Sequence, residues 1–393
     1  MFTAEFIKAE SARLSGWMQD CYRHLHRHPE TAHFETETNL FIRRELDKLG
    51  IAYEAPAHNI TIALLNGHAP GAVVGLRCDT DALPVQEETG LPFSSEAPGK
   101  MHACGHDGHT ALGLGVARML HEHPESWQGT AKVIFQPAEE GENGAGDVIE
   151  TGLVNDLDVL YGLHLWSAYP TCTLHAAPVT VSAAVNMFEV HVTGKGGHGA
   201  TPDKCADALV AAAEMVGALQ TIVSRRFSPM EPGVLTIGSF HAGHVGNIIA
   251  QDAVLKGTLR TLNNQTRTMA EEAMADIIHG TAQMHGCTAE ISNWRMSDAV
   301  TNDPRATAIA QECGKLLGNE VYGQNTLMLG DDFANYGGIC PYAYLQLGIA
   351  DEQKQSHYAH HNGHFRIDED ALPLGLAWLA MTVAAAGEQW KKE

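Results

Sequence analysis

Positive charge is scarce in this chain: its 393 residues carry 25 Lys and Arg against 47 Asp and Glu, a formal charge of −22. Nucleic acid and anionic membrane surfaces need a basic face, so neither is expected as a partner. An anionic ligand would have to be met by local positive groups. Long apolar runs are also missing, with none expected to reach the roughly 18 residues of a membrane span. The opening Met1-Phe2-Thr3-Ala4-Glu5-Phe6 has no basic segment followed by an apolar core, so no secretory signal is expected and the chain reads as cytoplasmic. Paired cysteine spacing is absent as well. The eight cysteines at 21, 78, 104, 172, 205, 287, 313 and 340 are scattered, which in a reducing compartment means free thiols.

What is present is a globular composition, 44% hydrophobic and 18% charged, in a chain too long for one average core, so two domains are expected. The densest chemistry lies in Met101-His102-Ala103-Cys104-Gly105-His106-Asp107-Gly108-His109-Thr110. A thiol and imidazoles suit zinc and its first-row neighbours, and glycine between them lets the backbone turn tightly enough to aim them at one point. Cys104, His106 and His109 are all candidate ligands of a metal on these grounds.

Taken in order, apolar residues at helical spacing predict a helix over about 3–28, stopped near Pro29, and a second over about 35–49, capped by Gly50. His24, His26 and His28 alternate, so they point to different faces and read as a polar helix end. Short apolar strands follow at 60–65 and 72–78. The second runs into Asp79-Thr80-Asp81, where one acid can support the metal loop downstream. A helical pattern from Thr110 to His121 places that loop near a helix start. The strand 130–136 ends at Pro137, followed by Glu139-Glu140, adjacent carboxylates at the carboxyl end of a strand, where open α/β sheets place ligands. One of the two could bind metal while the other moves protons. His164 interrupts the apolar strand 159–166 and is either a satisfied core residue or a ligand.

From about 184 to 295 the order is strand 187–192, helix 206–225, strands 233–240 and 252–261, helix 266–285 and strand 287–294. This β-α-β-β-α-β sequence suits a ferredoxin-like module inserted in a larger α/β domain, which is then discontinuous at 1–183 and 296–393. Gly194-Lys195-Gly196-Gly197-His198-Gly199 meets the spacing of a dinucleotide fingerprint. However, Pro202 and a gap of about six residues separate it from the next helix, against the rule that the glycines open that helix. The glycines are instead expected to admit backbone or substrate close to His198. The tail returns to strand 342–347, a loop with His357, His360, His361 and His364, and helix 370–386. One of the four histidines is expected to be a ligand, and composition does not say which.

Eight motifs in order, RCDTDALP (77–84), MHACGHDGHTA (101–111), FQPAEEG (135–141), GLH (162–164), GKGGHGATP (194–202), GTLRT (257–261), GDDFANY (330–336) and HNGHF (361–365), make the chain resemble a metallopeptidase and aminoacylase family over essentially its whole length. That family includes hippurate hydrolase, plant hydrolases of indoleacetyl-amino acids and, more distantly, carboxypeptidase G. The resemblance implies an α/β fold, a zinc-peptidase-like mixed sheet sandwiched by helices with an inserted ferredoxin-like lid and dimerisation domain. It implies two divalent ions (Zn, Mn, Co or Ni) on Cys104, His106, Glu140, His164 and His361. It also implies Glu139 as catalytic base, Asp81 as the acid that orients a ligand, and His198, Asn247 and Arg260 as substrate-binding residues. Departures from the family pattern, Asp203, Asp331-Asp332 and Gly363, spare every ligand and the base and bear on substrate preference.

The function so implied is hydrolysis of the amide bond of N-acyl amino acids or related small conjugates by a homodimer or homotetramer. A dipeptidase or carboxypeptidase on the same scaffold is the alternative. A metal-dependent binding protein without catalysis would need no base at Glu139, and a dehydrogenase would need the glycine motif to open a helix.

Overall fold

The computed structural model describes residues 2–141 and 143–390, which form two compact units: Met1–Val181 with Thr301–Asn325 and Asp332–Glu393, and Ser182–Val300 with Thr326–Asp331. The chain runs α1 (Ala4–Arg27), α2 (Thr36–Leu49), β1 (Tyr53–Ala57), β2 (Ile60–Asn66), β3 (Val73–Asp79), α3 (His106–Glu122), β4 (Thr130–Gln136), α4 (Gly144–Glu150), β5 (Val159–Pro170), β6 (Leu174–His175) and β7 (Thr180–Ser182). The second unit follows with β8 (Ala184–Thr193), β9 (Gly197–His198), α5 (Ala208–Thr221), β10 (Gly233–Ala242), β11 (Ile248–Ile249), β12 (Asp252–Thr261), α6 (Asn264–Met284) and β13 (Thr288–Ser297). After β14 (Val300–Thr301), which pairs with β7, the first unit closes with α7 (Pro304–Leu316), β15 (Val321–Tyr322), β16 (Tyr342–Ala350) and α8 (Leu372–Gln389).

The first unit is built on one mixed sheet of order β1-β2-β4-β3-β5-β16-β6-β15. Its central strands β4, β3, β5 and β16 run parallel, and the others pair antiparallel at the flanks, apart from the short parallel β6–β15 pair. Those central strands are near-continuous apolar runs because helices cover both faces of such a sheet. On α1, Ile7, Leu14, Met18, Cys21, Tyr22 and Leu25 are buried at helical spacing, with Ser11 between them, while the other intervening positions are exposed or half-buried. Each such large side chain contributes about 1.5–3 kcal/mol on burial.

In the second unit, β10-β12-β8-β13 form an antiparallel sheet, and α5 and α6 bury Ala211, Met215, Leu219, Met274 and Ile278 in a core with Phe188, Val190 and Leu255. This is the ferredoxin-like order read from the sequence. The unit is longer than the expected 184–295. Segment 326–331 joins it because the Ala183 amide donates to the Leu329 carbonyl at 2.8 Å and Arg260 Nη1 to the Met328 carbonyl at 2.7 Å.

The sequence has no unbroken apolar run of 18 residues, as expected, yet two helical segments are apolar on average. Ala208–Arg226 and Glu369–Gln389 are long and apolar enough, by length and composition, to cross a membrane. The latter is 83% buried inside the protein, where Leu376, Trp378, Leu379 and Val383 belong to the core. Pro373, Gly375, Thr382 and Gly387 interrupt its apolar run, while its leucines and alanines keep its mean hydropathy high. The polar helix end expected of the histidines at 24, 26 and 28 holds for His28, which is exposed, and needs correction for the other two. His24 stacks on Phe41 with ring centroids 4.1 Å apart, and His26 is buried at 1% exposure.

Candidate metal centre

The site grows from the carboxyl ends of neighbouring parallel strands. β3 ends at Asp79 and leads to Asp81, β4 ends at Gln136 and leads to Glu139 and Glu140, and β5, parallel to β3, carries His164. α3 starts at His106 itself, four residues earlier than the helical pattern from Thr110 suggested. Gly105, at φ 90°, takes the left-handed turn that a β-carbon would oppose, and it reverses the chain directly into the helix. His106 and His109 consequently share one helix face.

Ligand atoms of Cys104, His106 and His164 lie within 4.8 Å of one another, as do those of Cys104, Glu140 and His361, and those of His106, Glu139 and Glu140. The sets overlap, so the five implied ligands and Glu139 form one cluster. Cys104 Sγ is 3.5 Å from His164 Nε2, and His361 Nε2 is 3.2 Å from Glu140 Oε1.

Hydrogen bonds decide which imidazole nitrogens are available. His106 Nδ1 donates to the Asp81 carbonyl at 2.9 Å and His164 Nδ1 to the Leu165 carbonyl at 2.8 Å. A carbonyl only accepts, so in each ring Nε2 is left to turn its lone pair into the cluster. His106 Nε2 is buried and finds no hydrogen-bond partner among the described residues, an arrangement that costs free energy unless something binds there. His109, the third histidine of the loop, is committed elsewhere. The Leu165 amide donates to its Nε2 at 2.9 Å, and its Nδ1 donates to Asp79 Oδ1 at 2.6 Å.

The cluster also carries surplus negative charge. Burial, followed by the Glu140, Glu139 and Asp79 carboxylates, holds the Cys104 thiol well above its ordinary range. Burial works against a charged His106, but Asp79, Asp81 and Glu140 outweigh it and push that imidazole up to about 10. Such a pocket calls for cations, and thiol, imidazole and carboxylate together match the donor set of zinc and its neighbours. The residues fit a divalent metal centre.

A model of the peptidase family M20/M25/M40 matches residues 75–385. The chain belongs to that family. It is 33% identical over 381 residues to thermostable carboxypeptidase 1 of Saccharolobus solfataricus, covering 95% of this chain and 96% of that one. To N-acetylcysteine deacetylase of Bacillus subtilis it is 35% identical over 360 residues, covering 91% of this chain and 93% of that one. The crystal structure of the Bacillus subtilis YXEP protein, a dinuclear metal-binding peptidase of the M20 family, superposes with a TM-score of 0.85 at 30% identity, over 96% of this chain and 99% of that one. The present chain is thus a hydrolase of amide bonds that uses divalent metal.

Several members of this M20 site were not assigned from sequence. Asp79 forms a buried ion pair with Arg77, whose guanidinium also reaches Asp332 Oδ1 at 2.8 Å and Gln136 Oε1 at 2.9 Å. Through Asp79 this network orients His109, which holds Leu165 beside His164. Asp332 had counted only as a departure from the family pattern. Nothing local to GDDFANY shows that Arg77, 255 positions away, is its partner.

A second buried group supports the first turn of α3. His26 Nδ1 lies 2.7 Å from Asp107 Oδ2, and its Nε2 lies 3.3 Å from Glu87 Oε1. Burial opposes the imidazolium, but the two carboxylates outweigh it and raise His26 to about 9. Burial likewise raises Glu87, but hydrogen bonds from His26 and Thr89 bring it down to about 2. His26 is therefore raised above its ordinary value of about 6.5, so its stabilisation is complete below that pH and is lost as pH rises through about 9. Glu87 is depressed, so its stabilisation is present above about 4.3 and lost as pH falls through about 2. Thermal unfolding followed by circular dichroism should show the midpoint falling between pH 7 and 10. His26→Leu should flatten that slope and cost about 3–5 kcal/mol at pH 7 by leaving Asp107 and Glu87 unpaired. An unchanged slope in His26→Leu would refute the assignment.

In the second unit, His198 lies on β9, opposite Ile248 of β11, and is exposed, its Nδ1 accepting from the Ala200 amide at 3.0 Å. Asn247 is next to it, its carbonyl accepting from the Gly199 amide at 2.9 Å. Arg260 is on β12, on a different sheet of the same unit. The glycine motif serves close backbone packing. A β-carbon at Gly194 would lie 2.2 Å from the Ala206 carbonyl oxygen, and one at Gly199 would lie 3.0 Å from that of Asn247.

Proposed function

We propose that the chain hydrolyses N-acyl amino acids to a carboxylic acid and a free amino acid, using two divalent ions on Cys104, His106, Glu140, His164 and His361. The observation that carries this reading is Glu139, whose carboxylate stands 3.8 Å from His106 Nε2, is 10% exposed, and is adjacent in sequence to the ligand Glu140. Divalent ions bound here would polarise the scissile carbonyl and lower the pKa of water towards neutrality.

Glu139 then accepts the proton of the attacking water and delivers it to the leaving nitrogen. Asp81 positions both partners. Its two oxygens accept the Glu139 and Glu140 amides at 3.1 and 3.0 Å, and its carbonyl fixes the His106 tautomer. Arg260 is the proposed grip on the substrate's carboxylate, since a guanidinium can make two parallel hydrogen bonds to it. His198 would donate to the developing oxyanion, and Asn247 would help hold the substrate's carboxylate. The metal is one of Zn, Mn, Co or Ni. The enzyme acts in the cytoplasm, where its thiolate ligand stays reduced, as a homo-oligomer formed through the second unit.

A panel of N-acetyl, N-benzoyl and indoleacetyl amino acids, assayed against dipeptides with a free α-amino group and with each of the four metals, tests the reading. Faster turnover of the acyl-blocked compounds is expected. Faster turnover of the dipeptides would favour a peptidase, as the 33% identity to a carboxypeptidase allows. In the same assay Arg260→Ala should raise KM for N-acyl amino acids at least about tenfold, and much less for an acyl amine lacking the carboxylate. Equal effects on both would remove Arg260 from carboxylate binding.

A further inference from the structure

The turn that carries Glu139 and Glu140 is held from beneath. Ala138 lies at φ 53°, in the left-handed region that a residue with a β-carbon enters only at a cost, and it is fully buried. Three successive amides of this turn are captured by two buried carboxyl groups. Ala138 donates to Glu35 Oε1 at 2.9 Å, while Glu139 and Glu140 donate to the two oxygens of Asp81. Successive amides curled around acceptors in this way stabilise a left-handed turn.

Asp81 is already tied to the site through His106. Glu35 is not. It stands before α2, 103 positions from Ala138, and is 0% exposed. Its other oxygen accepts from Asn59 Nδ2 at 3.3 Å, and its own carbonyl accepts the Asn39 side-chain amide at 3.0 Å. Burial, with a smaller push from Asp81, raises the carboxyl to about 7, and in either protonation state an oxygen remains to accept the Ala138 amide. Burying a carboxyl group is costly, and this one sets one of its two oxygens at the base of the turn that presents the proposed catalytic base.

We infer that Glu35 is a positioning residue for the hydrolysis: by holding the Ala138 amide it keeps the turn in the conformation that presents Glu139 and Glu140 to the site. The inference rests on the reading that Glu139 is the base. A displacement of the base by about 1 Å can cost on the order of 100-fold in rate without touching substrate affinity.

The test compares Glu35→Ala, Glu35→Gln, Asn59→Ala and Glu139→Gln with N-benzoylglycine as substrate, reading kcat per metal-loaded protein, KM and thermal midpoint. Glu35→Ala should lose at least about tenfold in kcat with KM nearly unchanged. Glu35→Gln, whose amide oxygen can still accept from Ala138, should recover most of that loss. Asn59→Ala removes the other partner of the carboxyl group without touching Ala138, and should lower the midpoint but keep kcat. Wild-type kcat in Glu35→Ala beside an inactive Glu139→Gln overturns this inference and leaves the function standing. An active Glu139→Gln overturns the function itself. A kcat loss in Asn59→Ala equal to that in Glu35→Ala reduces Glu35 to a structural role and also overturns the inference. Should Glu35→Ala not fold, Glu35→Asp decides: it keeps the carboxyl group but withdraws it by one methylene, so kcat should fall, and a wild-type value refutes the positioning.

Discussion

Glu139→Gln is expected to keep a full complement of metal and to lose at least about 100-fold in kcat, the scale of a general base. The substitution preserves the shape of the side chain and an acceptor oxygen, so the turn and the neighbouring Glu140 have no reason to move. What it removes is the capacity to take a proton. The backbone supports this separation, because the Glu139 amide is held by Asp81 independently of the side chain. Elemental analysis together with initial rates on the preferred acyl amino acid makes the measurement. Metal loss in step with activity would instead make Glu139 a ligand, consistent with its place in the group with His106 and Glu140. Near-normal turnover would remove it from the chemistry altogether.

The second large effect is expected in Cys104→Ser, with bound metal falling at least about tenfold in affinity. Serine matches the size of cysteine, yet its hydroxyl does not supply the soft anionic sulfur that suits zinc and its neighbours. In the protein alone, burial and three nearby carboxylates keep the Cys104 thiol protonated, so the thiolate forms only where a cation compensates it. With Cys104 as a ligand, metal binding and thiol ionisation would be one coupled event, and serine would interrupt it. A ligand that binds only the folded state raises the unfolding midpoint by mass action. Added metal should therefore raise the midpoint of the apo-protein strongly in the wild type and weakly in Cys104→Ser. Equal shifts in the two proteins would show that Cys104 does not touch the metal.

Much of this architecture was legible because it is local. A helix or strand betrays itself by the period of its apolar residues, so α1, α2, β2 to β5 and the β-α-β-β-α-β insert could be placed to within a few residues. Short elements such as β6, β11 and β15, only two residues each, have no period to read. α3 was misplaced at its start because its first turn, His106 to His109, is polar by composition. Every one of those residues is buried in the structure, since the cluster, the Asp79 network and His26 supply the partners that water would otherwise provide. His26 illustrates the opposite error. Periodicity separated its face from that of its neighbours, but only the fold brings Asp107 and Glu87 against it.

By itself, then, the sequence determined the candidate ligand types, their grouping at Cys104–His106 and Glu139–Glu140, and the order of elements that makes one domain interrupt another. Those features are set by covalent spacing and by side-chain period. Tertiary structure alone decided that His106 and His164 offer Nε2, that His109 is bound to Asp79 and Leu165, and that Glu35 and Asp332 support the site from distant parts of the chain. A buried polar group takes whichever partner the fold lays beside it, and that neighbour has no fixed distance along the sequence.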